Sequence, residues 1–182
     1  MTMTLLLGGA RSGKSKLAGS LMGSGSGPVT LIATGEGGDQ EMRDRILEHQ
    51  ISRPGDWLVI EEPIELEGAL SGVDASLRVI VDCLTLWVSN LIGLGLDDDE
   101  IRARARAAAE VAAARQSTTV VVSNEVGSGI VPVNQLARRY RDVLGRVNSI
   151  WAEVADHVYL TVAGGVIPVR PADSVWGDAS DD

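Results

Sequence analysis

LLLGGARSGKSK, residues 5–16, passes from an apolar run into glycines and then into Gly-Lys-Ser. Gly8, Gly13, Lys14 and Ser15 satisfy the spacing G-x-x-x-x-G-K-[ST], directly after a predicted strand and at the start of a predicted helix. Strand, glycine turn and helix in that order make a phosphate cradle. The glycines let the backbone curl so that successive N–H groups and the positive end of a helix face an anion. Lys14 is placed to reach β and γ phosphates, and the Ser15 hydroxyl to ligate magnesium. The motif serves kinases, switches and motors alike, so the rest of the chain must decide its chemistry.

Outward from the cradle, short β-type runs recur at 4–7, 29–33, 57–60, 78–82, 118–123 and 157–162, with helical stretches between most of them. RVIVD (78–82) and the valine run after Thr119 are continuously apolar, as strands buried on both faces of a parallel sheet must be. The expected fold class is therefore α/β, a mainly parallel sheet flanked by helices. The first helix is expected from the cradle to about Met22, ending before the flexible GSGSGP. A second is expected over 97–116, opened by the acids DDDE at its positive end and read as a solvated outer helix. The clearest amphipathic element is 134–155, where Leu136, Tyr140, Val143, Leu144, Val147, Ile150, Trp151 and Val154 form a stripe expected to lie on the sheet. Residues 1–170 read as one catalytic domain, and 171–182 as an acidic, flexible tail.

Composition narrows the partners. A net charge of −9 argues against general nucleic-acid binding, which needs Lys and Arg to replace counterions, so any phosphate site is local. No apolar stretch approaches the roughly 20 residues that cross a bilayer, and residues 1–20 carry no signal-peptide pattern; a cytoplasmic protein without a transmembrane segment is expected. The single cysteine, Cys83, forms no internal disulfide and lies in an apolar segment, which favours packing over reactivity.

Three chemical groups stand out beyond the cradle. Asp82 closes the apolar run LRVIVD, where a carboxylate holds magnesium in P-loop proteins, although an Asp there also suits the cap of the helix starting near Leu84. His49 is one of two histidines and lies in the charged stretch EMRDRILEHQISRPGDW; a neutral imidazole near bound nucleotide attacks phosphorus, and a plain surface histidine is the competing reading. His157, between a helix end and a strand, reads as a structural cap. Small-molecule kinase, GTP-driven switch and motor-type ATPase all use such parts. The stretch after the late strand is VVSNEVGSGIVP, without the Asn-Lys-x-Asp of regulatory GTPases, which weakens the switch.

GGARSGKS, IATG, EMRDRILEHQISRP, VDCLTLWVSNL and VSNEVGSGIVPVNQLARRYRDVLGRVNSIWAEVADHVYL, in this order over nearly the whole chain, resemble one family. It is the bifunctional adenosylcobinamide kinase and adenosylcobinamide-phosphate guanylyltransferase family of cobalamin biosynthesis. The resemblance implies a RecA-like P-loop sandwich, ATP and GTP as co-substrates, Mg2+, adenosylcobinamide and its phosphate as acceptors, and a homo-oligomer, a trimer in the family. It implies that Gly8, Gly9, Ala10, Arg11, Ser12, Gly13, Lys14 and Ser15 hold phosphates and that Ala33, Thr34 and Gly35 line the nucleotide. It further implies that Gln50, Ile51, Ser52 and Arg53 contact GTP, that Glu61 and Asp82 complete the site, and that Ser15 and Asp82 are the metal ligands. His49, ahead of Arg53-Pro54, takes the place of the guanylylated histidine, with Lys14 as its catalytic companion. Some members have His-His there and this chain has Glu48-His49, so any duty of the first histidine is absent or replaced. To attack, His49 must be unprotonated; a helix C-terminus opposes that, while magnesium and cations such as Arg45 or Arg53 favour it. A kinase without nucleotidyl transfer and a nucleotide-binding regulator are the alternatives.

Overall fold

A computed structural model describes residues 2–23, 27–35, 57–172 and 174. Seven strands form one sheet: β1 (Met3–Gly8), β2 (Val29–Ala33), β3 (Leu58–Glu61), β4 (Arg78–Asp82), β5 (Thr119–Val122), β6 (His157–Val162) and β7 (Gly165–Val169). Their order is β3-β2-β4-β5-β1-β6-β7. All neighbours run parallel except β6 and β7, which are antiparallel. The helices among the described residues are α1 (Lys14–Gly23), α2 (Leu66–Gly72), α3 (Leu84–Gly93), α4 (Asp98–Ala114) and α5 (Gln135–Val154). The expected α/β architecture stands.

Burial alternates along each central strand because successive side chains leave opposite faces of the pleat. Leu5, Ile32, Val79, Val81 and Val121 enter one core with residues of α2, α3, α4 and α5. Leu6, Leu31, Ile80, Val120 and Val122 enter a second core, closed by Ala18 and Met22 of α1. β4 and β5 stand in the middle of the sheet, which is why their sequences are apolar on both faces.

One strand is new and three expectations are corrected. The strand β7 went unread: Pro168 argues against a central strand, but β7 is an edge strand, where a missing N–H is harmless. Ala163 and Gly164 join it to β6 with φ of 50° and 81°, the paired left-handed conformation of a two-residue hairpin turn. Helix α4 is not simply solvated; Ile101, Ala105, Ala108, Ala109 and Ala112 are buried, since alanine lets α2 and α5 pack closely on it. In the amphipathic α5, Val143, Leu144, Val147, Ile150 and Trp151 are buried as expected, but Leu136, in the first turn, is exposed beside the exposed Val133 that precedes the helix. His157 caps nothing: it opens β6 exposed, its ring tilted beside Tyr159, and the Asp156 carboxylate instead accepts from the Met3 N–H. The acids of DDDE do open α4, with Asp97 and Glu100 forming a reciprocal capping box.

Candidate active site

β1 ends at Gly8 and α1 starts at Lys14, so residues 8–15 form a turn at the C-terminal end of the parallel strands, where ligands of open α/β sheets bind. A side chain at Gly8 would meet the Thr161 carbonyl oxygen at 2.3 Å and Ser12 Oγ at 2.8 Å. Only glycine fits. Gly13 has φ of 104°, in the region that side chains avoid, and Arg11 is left-handed at 56°. The turn is braced from two sides: the Glu125 N–H donates to the Gly8 carbonyl at 3.1 Å, and the Gly164 N–H to the Ser12 carbonyl at 2.9 Å. The hairpin that the sequence did not disclose therefore supports the cradle.

Lys14 is buried, and its ammonium group folds into the turn. It donates to the carbonyls of Gly8 (2.8 Å) and Gly9 (2.7 Å) and, at 3.4 Å, to Ser12 Oγ. Burial lowers its pKa from the usual lysine value, while Cys83 and the Asp82 carboxylate act in the opposite direction. Ser15 follows half-buried in the first turn of α1, and Gly9, Ala10 and Arg11 are exposed at the mouth.

Asp82 ends β4, which is separated from β1 by β5 alone. It is not a helix cap: Cys83 takes the N-cap position of α3 and offers no side-chain hydrogen bond there. Among the described residues the Asp82 carboxylate takes no hydrogen bond, so it stands half-buried with its acceptor capacity open. The Asp82–Cys83 peptide is cis. Cys83 packs against the second core, and burial, followed by the negative Asp82, raises its thiol to about 11.

Ala33 is in register with Asp82 on one side and Glu61 on the other. Glu61 is exposed at the end of the edge strand β3, with β2, β4 and β5 between that strand and the cradle strand. Thr34 is buried and Gly35 half-buried. His49, Gln50, Ile51, Ser52 and Arg53, together with Arg45 and Glu48, lie outside the described residues, as does nearly all of the expected tail.

Two polar networks at this end of the sheet escaped the sequence reading. Asn90 of α3 donates to the carbonyls of Thr34 (2.8 Å) and Pro63 (3.1 Å), tying the exits of β2 and β3 together. Asn148 of α5 accepts from the Ser123 hydroxyl at 2.6 Å and donates to the Asn124 carbonyl at 3.0 Å, while the Thr85 hydroxyl accepts from the Asn124 N–H. Their signal was present: an Asn inside the apolar runs LWVSNLI and GRVNSIW has to find buried partners.

Magnesium takes hard oxygen donors and keeps several waters, so one hydroxyl and one carboxylate suffice to anchor it beside phosphates. Ser15 and the open carboxylate of Asp82 are donors of that kind, and the set fits.

A glycine turn that closes on a buried lysine at the C-terminal end of a parallel sheet defines a P-loop nucleotide-binding protein of the α/β class. Solved structures agree at the level of fold. A protein of Pyrococcus horikoshii OT3 matches with a TM-score of 0.55 at 11% identity, over 94% of this chain and 87% of the other. The ATPase of a type III secretion system of pathogenic bacteria matches at 0.55 and 13% identity, over 98% and 61%. The fold is the RecA-like P-loop sandwich.

The family model of cobinamide kinase / cobinamide phosphate guanyltransferase matches residues 4–169, and the chain belongs to this family. The bifunctional adenosylcobalamin biosynthesis protein CobP of Pseudomonas aeruginosa is 42% identical over 91% of this chain and 96% of its own. The bifunctional adenosylcobalamin biosynthesis proteins CobU of Escherichia coli and Salmonella typhimurium are 38% and 39% identical, each over 92% of this chain and 99% of theirs.

Proposed function

We propose that this enzyme performs both reactions of its family on one nucleotide cradle. In the kinase reaction, the hydroxyl on the aminopropanol arm of adenosylcobinamide attacks the γ phosphorus of ATP or GTP. A bond from that oxygen to phosphorus forms, the bond to the β-phosphate oxygen breaks, the hydroxyl proton is lost, and ADP or GDP leaves. In the second reaction, a ring nitrogen of His49 attacks the α phosphorus of GTP and expels pyrophosphate. A phosphate oxygen of adenosylcobinamide phosphate then takes the GMP group from His49, giving adenosylcobinamide-GDP and free imidazole.

The observation that carries this reading is Lys14, a desolvated cation held against Gly8, Gly9 and Ser12 at the mouth of the turn. On a flexible stem, its three N–H donors can exchange carbonyls for phosphate oxygens and offset the charge that develops in either transfer. Magnesium, held by Ser15 and Asp82, would neutralise phosphate charge at the same place. We place the rest of the nucleotide along Ala33, Thr34 and Gly35, with Gln50, Ile51, Ser52 and Arg53 on GTP and Glu61 with Asp82 completing the site.

Residues 1–170 act in this reading as one catalytic domain, working in the cytoplasm, where both nucleotides are supplied. We further infer a homo-oligomer, a trimer by family; the apolar Ile130, Val131, Val133 and Leu136, all exposed on the approach to α5, support a covered face there. Sedimentation of the purified protein tests it, and a monomer at micromolar concentration overturns it.

The two reactions are separated by labelling. Incubation with α-labelled GTP and magnesium should give an acid-labile, alkali-stable protein adduct that His49→Ala abolishes while phosphorylation of adenosylcobinamide persists. Absence of label from the unmodified protein overturns the transferase half; absence of both products leaves a nucleotide-binding regulator.

A further inference from the structure

At the point where β2 and β4 end, the ladder is continued by a side chain. Ala33 and Asp82 are the last paired residues of the two strands. Beyond them the Thr34 N–H donates to the Asp82 carbonyl at 3.1 Å. The Thr34 hydroxyl then accepts from the Cys83 N–H at 2.8 Å and donates to the Cys83 carbonyl at 2.6 Å. One buried hydroxyl thus holds both backbone polar groups of the residue that follows the metal-site carboxylate. Thr34 is itself anchored, because its carbonyl accepts from Asn90 of α3 at 2.8 Å, the same amide that reaches Pro63.

We propose that the Thr34 hydroxyl is a positioning group: by bracketing Cys83 it sets the direction in which the Asp82 carboxylate leaves the sheet. With its proton donated to the Cys83 carbonyl, one lone pair accepting the Cys83 N–H and no exposed surface, the hydroxyl is committed to the backbone of Cys83. Asp82 needs such a brace. Among the described residues no hydrogen bond fixes its carboxylate, and the Cys83 side chain caps nothing, so the carboxylate is oriented through its own backbone. Small displacements of a charged group facing phosphates are costly in rate, because its attraction must act at the oxygens where charge develops.

This inference rests on the reading of Asp82 as a metal ligand, and the experiment separates the two. Mn2+ affinity is measured by electron paramagnetic resonance on the full chain with a non-hydrolysable GTP analogue, beside binding of that analogue in EDTA and thermal melting. Thr34→Val keeps the shape and loses both hydroxyl bonds; it should weaken Mn2+ about tenfold while metal-free analogue binding stays within about twofold. Thr34→Ser, which restores the hydroxyl, should bind Mn2+ within about threefold of the unmodified protein. In an Asp82→Asn background, Thr34→Val should add nothing, since a residue acting through Asp82 has no target left. If Asp82→Asn weakens Mn2+ but Thr34→Val does not, the positioning role is overturned and the metal site stands. If Asp82→Asn is itself silent, both fall. An equal loss on Thr34→Val with and without Asp82, or a parallel loss of metal-free binding, also overturns the proposal. Should Thr34→Val fail to fold, Thr34→Ala is the second hydroxyl-free variant and is read by the same outcomes.

Discussion

Lys14 and Arg115 are buried to almost the same degree, 7% and 6% exposed, and both are wrapped in backbone carbonyls. Arg115, just past α4, donates to the carbonyls of Leu70, Val73, Asp74 and Leu77 at 2.8–3.0 Å. It thereby fastens the end of α2 and the turn into β4. Burial pushes both pKa values down; Asp74 partly opposes this at Arg115, and Cys83 with Asp82 at Lys14. The difference lies in what can be exchanged. A guanidinium is a planar fork whose donors point at fixed acceptors, whereas an ammonium on four methylenes can turn its protons elsewhere. Arg115 sits against a closed turn; Lys14 sits at a mouth formed by the exposed Gly9, Ala10 and Arg11. A buried cation is thus a structural clamp in one place and a loaded phosphate ligand in the other, and burial alone does not tell them apart.

The comparison is open to attack, beginning where the effect is greatest. Lys14→Met should lower the rate of adenosylcobinamide phosphorylation about 10²- to 10³-fold, the usual loss of one aimed electrostatic donor, without lowering the melting temperature. Arg115→Met should do the reverse. It removes the guanidinium from four carbonyls, of which that of Asp74 keeps the Leu77 N–H, and should cost about 3 kcal/mol in urea unfolding, with kcat/KM per folded molecule unchanged. If Arg115→Met impairs catalysis at full stability, the division between clamp and ligand is wrong.

Cys83, beside Lys14, reports on the closure of the site. With its pKa raised from 9.0 to about 11, the native thiol holds about a hundredfold less thiolate at pH 8 than a free cysteine, and its alkylation should be slower to match. Rapid labelling of native protein at the chain's only cysteine would mean an open, well-solvated pocket. The smallest effect is a slope. Because the folded-state pKa of Lys14 lies below 10.5, the cost of burying its charge is fully present at neutral pH. It is relieved as pH rises through that lowered value towards 10.5, since there the unfolded chain binds more protons. The unmodified protein should therefore gain stability relative to Lys14→Met over that window, measured by urea unfolding at stepped pH; a constant difference would show that Lys14 is not desolvated.

Local periodicity and local chemistry were legible in the chain. The cradle G-x-x-x-x-G-K-S, the apolar strands RVIVD and TVVV, the capping acids of α4 and the buried face of α5 all follow from interactions within a few residues or from a face that must meet a core. Edge strand β7 was not legible, because five exposed residues with a proline carry no burial pattern. Glu61 illustrates the limit for the site: a resemblance names it, but only strand order reveals that three strands separate β3 from β1.

The sequence by itself determined that a phosphate cradle exists, since backbone curl, lysine and helix start are contiguous and need no distant partner. Tertiary structure alone decided how the cradle is braced and aimed. Glu125 and Gly164 reach it from the segment after β5 and the β6–β7 turn, and Thr34 reaches Cys83 across 49 residues. Such contacts depend on which strands become neighbours, and that is set by the collective burial of apolar faces, which no local stretch records.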